Sequence, residues 1–362
     1  MYWNDLNTHL KRQYGCKVYK LALSSGCSCP NRDGTLGVRG CIFCDGAGAF
    51  AEAGDIPAQL AAARQRVAAK AGQGAKYIAY FQSFTNTYGA PAHLRRLFQT
   101  AIEPEDVAIL SIATRPDCLG PEILELLEEL NRVKPVWVEL GLQTIHPASA
   151  AYIRRGYDLP VFDAAVKQLK AIGVRVIVHQ ILGLPGETPE MMAQTSRYIG
   201  QAGADGVKLH LLHVLRNTDL AAEWQAGRVQ TLELPEYIAA LELCLRNLPP
   251  EVVIHRLTGD GAKRDLLSPL WSGDKKRVLN AKETTLAAQK QQLIRDAFRD
   301  WIWAEPQRRQ ALVRQYNEEM NSTRPREYDG SHIVFAGMNP EITLREHQRN
   351  AIAHVLYGGN TL

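Results

Sequence analysis

The chain has 362 residues, 46% of them hydrophobic and 22% charged, a profile that excludes disordered, collagen-like and fibrous proteins. Its 42 basic and 38 acidic residues leave a formal charge of +4, too small to announce a polyanion partner by bulk electrostatics, so any nucleic-acid contact must be a local patch. No apolar run approaches the roughly 18 residues of a membrane span, and the opening MYWNDLNTHLKRQYG lacks the apolar core of a signal peptide, so a cytoplasmic protein with no membrane partner is expected.

In chain order, short β-rich apolar runs occupy residues 17–23, 76–82, 107–113, 136–142, 174–182, 206–212 and 252–255. Between them lie stretches with helical spacing, such as PEILELLEELN (121–131) and PVFDAAVKQLKAI (160–172), each opened by a proline suited to a first helical turn. Runs of this kind read as strands buried on both faces. Their alternation with helices predicts parallel βα units closing into a barrel or partial barrel. After about residue 280 the chain turns to Gln, Arg and Glu in helical surroundings, with 11 basic and 10 acidic residues over 281–362. This predicts exposed, loosely packed helices with a loop near residues 321–331.

Seven cysteines make an odd count, and five of them (Cys16, Cys27, Cys29, Cys41, Cys44) fall within 29 residues. In a reducing compartment such a cluster suggests metal rather than disulfides. In GCSCPNRDGTLGVRGCIFC, Cys41 and Cys44 form a C-x-x-C pair and Cys29 supplies a third thiolate from a glycine-rich loop. Three thiolates on a four-iron cubane leave one iron open to the amino and carboxylate groups of S-adenosylmethionine, and reductive cleavage would then yield a 5′-deoxyadenosyl radical. With Cys27 added, the same segment reads as a tetrahedral zinc site in a non-catalytic structural or nucleic-acid-binding module. The place of the loop after the first long strand favours catalysis, because βα loops carry the active sites of such barrels.

CPNRDGTLGVRGCIFC, YIAYFQSFTNTYG, IATRPDCL, ELGLQTIHPASAAYIRRGYD, HQILGLPGET, GVKLHLLHVLRNTDL and HRLTGDG, in this order, resemble the bacterial radical S-adenosylmethionine (SAM) family typified by YhcC and YtqA. That family is similar to the radical-SAM module of the elongator acetyltransferase subunit. The resemblance implies an α/β fold with a partial (β/α)6 TIM-like barrel over residues 1–280 and a cluster loop at 24–48; it stops there, and residues 281–362 read as a mainly helical appendage. It makes Cys29, Cys41 and Cys44 the ligands of a 4Fe–4S cluster and leaves Cys27 out. It also implies SAM as the second cofactor, an electron donor such as flavodoxin or ferredoxin, and tRNA, at its wobble uridine, as the molecule modified.

Other residues acquire candidate roles at the strand ends. Gln82 and Ser83 stand where such barrels meet the methionyl amino group, and Thr114 and Arg115 end the next strand, where a guanidinium can pair with the methionyl carboxylate. Glu139 and Gln143 are candidates for ribose hydroxyls or the amino group, and Arg155 is a second candidate for the carboxylate. Gly183 and Pro185 form a turn suited to adenine. His210 and His213, with His179 and His255, are candidates for substrate contact or proton transfer. Lys11, Arg12, Lys17, Lys20 and the stretch 263–277 would make a basic face for RNA. The tail resembles a segment of mobile-element helicase-like proteins, yet no G-x-x-x-x-G-K-[ST] phosphate loop occurs in the sequence.

Overall fold

A computed structural model describes residues 3–46, 54–72, 74–259, 264–274, 278, 294–321, 327–339 and 341–358. The chain divides into two compact units, Met1–Ala287 and Ala288–Leu362.

The first unit is built on an eight-stranded sheet in the order β1-β9-β7-β6-β5-β4-β3-β2, with every pairing parallel. Its strands are β1 (Asn4–Asp5), β2 (Val18–Leu23), β3 (Lys76–Phe81), β4 (Val107–Thr114), β5 (Val136–Gln143), β6 (Arg175–Leu182), β7 (Gly206–Leu211) and β9 (Val253–Arg256). All seven apolar runs in the sequence are strands of this sheet. The two-residue β1 was not foreseen, nor was the antiparallel pair of β8 (Val214–Leu215) and β10 (Leu266–Ser268) outside it. The sheet curls into a half-barrel because the crossovers wind helices over its outer face.

Strand alternation sorts the side chains into two sets. Leu21, Leu23, Ala79, Phe81, Leu110, Ile112, Val138, Leu140, Val176 and Val178 face outward and pack with the helices into the main core. Those helices include α3 (Pro91–Ile102), α4 (Pro121–Val133), α6 (Leu159–Ala171) and α7 (Pro189–Gln201), each with a proline in its first turn. The inward-facing Ile78, Tyr80, Ile109, Ala113, Trp137 and Ile177 form a separate cluster with Leu10.

Leu10 belongs to α1 (Leu6–Tyr14), which runs directly from edge strand β1 to edge strand β2 and touches both β9 and β2. This helix therefore bridges the gap in the half-barrel and plugs its N-terminal end. Asp5 starts it by accepting the Thr8 amide, and Gly15 stops it in the left-handed conformation, at φ 71°.

In the second unit, helices occupy residues 294–303, Pro306–Glu319 and Glu346–Gly358. Pro306–Glu319 buries no residue. Trp301 and Trp303 are exposed, with Arg308 and Arg309 over their rings. Gln348 spends its side-chain oxygen on the Arg345 amide at the start of its own helix. Of the loop expected near 321–331, residues 322–326 lie outside the described residues.

Candidate active site

At the C-terminal ends of the strands, the chain after β2 folds over the barrel mouth and encloses a cavity. Its lining includes Cys29, Cys41 and Cys44 together with Arg32, Gln82, Thr114, Arg115, Glu139, Gln143, Arg155, Tyr157 and His179. Three thiols thus converge on one space. Cys27 does not line it: its thiol packs beside Gly89, 3.3 Å from where a Cβ there would stand, at the edge of the main core. The four-thiol zinc set is therefore not assembled, and among the described residues no group of three or more His, Cys, Asp or Glu side chains has the spacing to hold a single metal ion.

Local polar bonds shape the loop. Asn31, buried, donates to the Arg154 carbonyl at 2.7 Å and to the Cys41 sulfur at 3.5 Å, while its own carbonyl receives the Gly40 amide. Arg32 donates to the Cys44 carbonyl and fills the space against Gly40 and Gly46, where a Cβ would come within 2.9 and 2.7 Å of the guanidinium. Both glycines have positive φ, so they supply the turn and the room together. Below, Asn86 donates to the Phe81 and Ala113 carbonyls and accepts from Ser25, fixing the loop to the ends of β3 and β4. Burial, with the neighbouring Cys44 and Cys29, pushes the Cys41 thiol up to about 11 against the opposing bond from Asn31. It enters the cavity as a neutral thiol that must lose its proton to ligate.

Under this cavity the lumen is polar. Glu139, on β5, is wholly buried and accepts from Tyr80 at 3.0 Å, Ser111 at 2.9 Å, His179 at 2.8 Å and Lys208. Lys208 also donates to Tyr80 at 2.7 Å, and Lys20 stands 3.9 Å from the carboxylate. Burial alone would raise the Glu139 pKa, but Lys208, Lys20 and His179 hold it well below the usual carboxylate range. His210 packs on His179 with ring centres 5.0 Å apart, and His255 meets Trp137 edge-on at 5.1 Å. Burial keeps both His210 and His255 neutral, with pKa values well below that of free histidine.

Several candidate residues sit elsewhere or are already engaged. Arg115 gives its bidentate edge to Asp117 at 2.9 and 2.7 Å and a further bond to the Arg155 carbonyl. Arg155 donates to the carbonyls of Leu142, Thr144 and Tyr157. Both line the cavity and, through these bonds, brace the loops around it. Thr114 pairs with Thr87 at 2.6 Å.

Glu139 likewise accepts from four lumen donors, and Gln82 and Gln143 line the same cavity. Gln143 holds a left-handed φ of 67° at a bulge against β6 and curls back over Gly141. Ser83 does not line the cavity. Neither do Gly183 and Pro185; a Cβ at Gly183 would stand 3.0 Å from the Leu232 side chain. His213 bonds Ser272 at 3.0 Å outside the cavity, and His210 lies below it behind His179.

The expected basic face also comes apart. Lys20 points into the lumen, Lys11 and Arg12 lie on the helix plugging the opposite end, Arg264 pairs with Asp265, and residues 263 and 275–277 lie outside the described residues.

Comparison with known proteins agrees with this architecture. Residues 32–199 match the Radical SAM superfamily model and residues 204–288 the Radical_SAM C-terminal domain, while a domain of unknown function (DUF8437) matches 255–322. YtqA of Bacillus subtilis is 41% identical over 283 residues, covering 77% of this chain and 88% of that protein. The chain belongs to the radical SAM superfamily. It is an enzyme of that class, whose cofactors are a 4Fe–4S cluster and SAM and whose chemistry draws on a reductant.

The tRNA uridine(34) acetyltransferase of Methanocaldococcus jannaschii is 28% identical over 42% of this chain and 28% of its own length. The structure of Methanocaldococcus infernus Elp3 with an N-terminal deletion shares the fold at a TM-score of 0.57 and 19% identity, over 74% of this chain and 63% of that one. No described helix is long and apolar enough to cross a membrane.

The sequence alone did not single out Asn31, Arg32, Asn86 and Lys208, nor the bond of Tyr80 to Glu139. Asn31 and Arg32 were marked by their place beside Cys29, and Lys208 by being a lysine inside the apolar run GVKLHLL, which buries a charge only when a partner is waiting.

Proposed function

We propose that Cys29, Cys41 and Cys44 hold the 4Fe–4S cluster at the barrel mouth and that the enzyme acts in tRNA modification at the wobble uridine. The observation that carries the cluster assignment is the convergence of these three thiols, without Cys27, on one cavity opening onto the lumen. Bound there, the cluster would supply the electron that cleaves the SAM sulfonium to a carbon-centred radical for hydrogen abstraction.

The chain's own residues position and insulate that chemistry. Asn31 and Arg32 set the cluster loop, Gln82 and Gln143 offer amides to the nucleoside part of SAM, and the Arg115–Arg155–Tyr157 group braces the opposite rim. The lumen below, closed by α1, keeps bulk water from the radical. The tRNA assignment rests on similarity to the tRNA uridine(34) acetyltransferase, and flavodoxin or ferredoxin is the proposed electron donor.

Anaerobic reconstitution with iron and sulfide tests the cluster. The wild type and Cys27→Ser should develop the visible iron–sulfur band and form 5′-deoxyadenosine from SAM. Cys29→Ser, Cys41→Ser and Cys44→Ser should not. Colourless wild-type protein retaining zinc would overturn the reading. Mass spectrometry of tRNA nucleosides from cells with and without the gene tests the substrate, and identical nucleoside profiles would reject it.

A further inference from the structure

Among the described residues, the lumen gathers more basic than acidic side chains. Lys20 and Lys208 point inward from β2 and β7, and Arg256 on β9 is the in-register neighbour of Lys208. Facing them among the described residues is Glu139, the one acidic partner in this network, with Tyr80, Ser111 and the neutral His179, His210 and His255 around it. Glu139 is already committed to Lys208, while Lys20 reaches it only at 3.9 Å, beyond hydrogen-bond distance.

Two buried ring nitrogens, Nε2 of His210 and Nδ1 of His255, have no hydrogen-bond partner. Gly206 makes room for the His255 ring, since a Cβ there would stand 2.7 Å from its Nε2. Surplus basic groups and unpartnered ring nitrogens buried together are costly unless a ligand completes them.

We propose that the lumen beneath the three-cysteine cavity binds the anionic terminal group, carboxylate or phosphate monoester, of a small substrate, with Lys20, Lys208 and Arg256 as its counter-charges. The orphaned histidine nitrogens donate to the same group or to the atoms next to it. A polymer backbone does not fit this description, because the Lys208 side chain is 3% exposed and α1 seals the far end. The ligand must therefore enter end-on through the mouth, which carries its remaining atoms past the cofactor cavity. The inference rests on the radical SAM reading for the direction of entry. It names the chemical class of the molecule in the lumen, whether that is the whole substrate or the small co-substrate of a tRNA modification.

The test is titration of the full-length chain, without cluster loading, with inorganic phosphate and separately with acetate at constant ionic strength. Binding is followed by calorimetry and by the imidazole resonances of His210 and His255. Saturable binding of one anion that moves both resonances is expected, and the better-bound anion distinguishes a phosphate ester from a carboxylate. Lys20→Met should weaken binding at least tenfold. Lys17→Met, just before the same strand, where Lys17 lies over Tyr19, should not. Arg256→Gln provides a second, independent loss should Lys20→Met fail to fold. Absence of saturable binding by either anion, or undiminished binding in the folded variants, overturns the proposal. Failure of the cluster reading would appear instead as a missing visible band on reconstitution, a measurement the titration does not involve.

Discussion

Replacing Glu139 by Gln removes the carboxylate facing Lys208, whose side chain is 3% exposed against 0% for Glu139. At such burial solvent screens the pair little, and removing one partner of a buried, hydrogen-bonded ion pair costs about 3–5 kcal/mol. The Gln amide still accepts one or two of the bonds from Tyr80, Ser111 and His179, which keeps Glu139→Gln near the lower end, about 3 kcal/mol. That is a large part of the roughly 5–15 kcal/mol available to a folded protein, so the variant should fold but unfold at distinctly lower urea. Lys208→Met should cost a similar amount, and the double variant less than the sum by about 1–3 kcal/mol, since it leaves neither charge stranded. Urea unfolding of the full-length chain at pH 7.5, followed by circular dichroism, measures all four corners of the cycle. A Glu139→Gln cost below about 1 kcal/mol, or strict additivity in the double variant, would refute the claim that this pair anchors the lumen.

Three further outcomes are expected. Because His210 and His255 are buried neutral, with pKa values well below the unfolded value, the unfolded chain binds more protons below about pH 6.5. Stability should then fall by up to about 1.4 kcal/mol per pH unit per histidine as the pH is lowered through that value; equal urea midpoints at pH 7.5 and 5.5 would count against it. Cys41, raised to about 11, must release its proton on ligation, so iron loading should tighten by up to about tenfold per pH unit between pH 7 and 8.5 with measurable proton release. Gly206→Ala places a methyl 2.7 Å from His255 and 3.0 Å from the Val253 carbonyl, and should cost about 1–3 kcal/mol by overpacking, read as a lower thermal midpoint.

The seven apolar runs and the proline-opened helices were legible in the sequence because strand alternation and helix periodicity are local properties that each segment carries alone. The cysteine loop was legible for the same reason: Cys29, Cys41 and Cys44 are brought together by a glycine-rich turn within 16 residues. Residues meeting from distant strands were not.

Lys20, Tyr80, Glu139 and Lys208 each sit on a different strand, and which of them face one another depends on the tilt and stagger of the sheet. The sequence by itself therefore determined the βα alternation and the three-thiol loop. Only the tertiary structure decided that Arg115 and Arg155 brace loops, that Gly183 lies outside the cavity lining, and that Lys20 and Lys208 meet Glu139 under the cysteines. Sequence spacing specifies which way a side chain points along its own strand, but the partner it finds is fixed by the register of strands far apart in the chain.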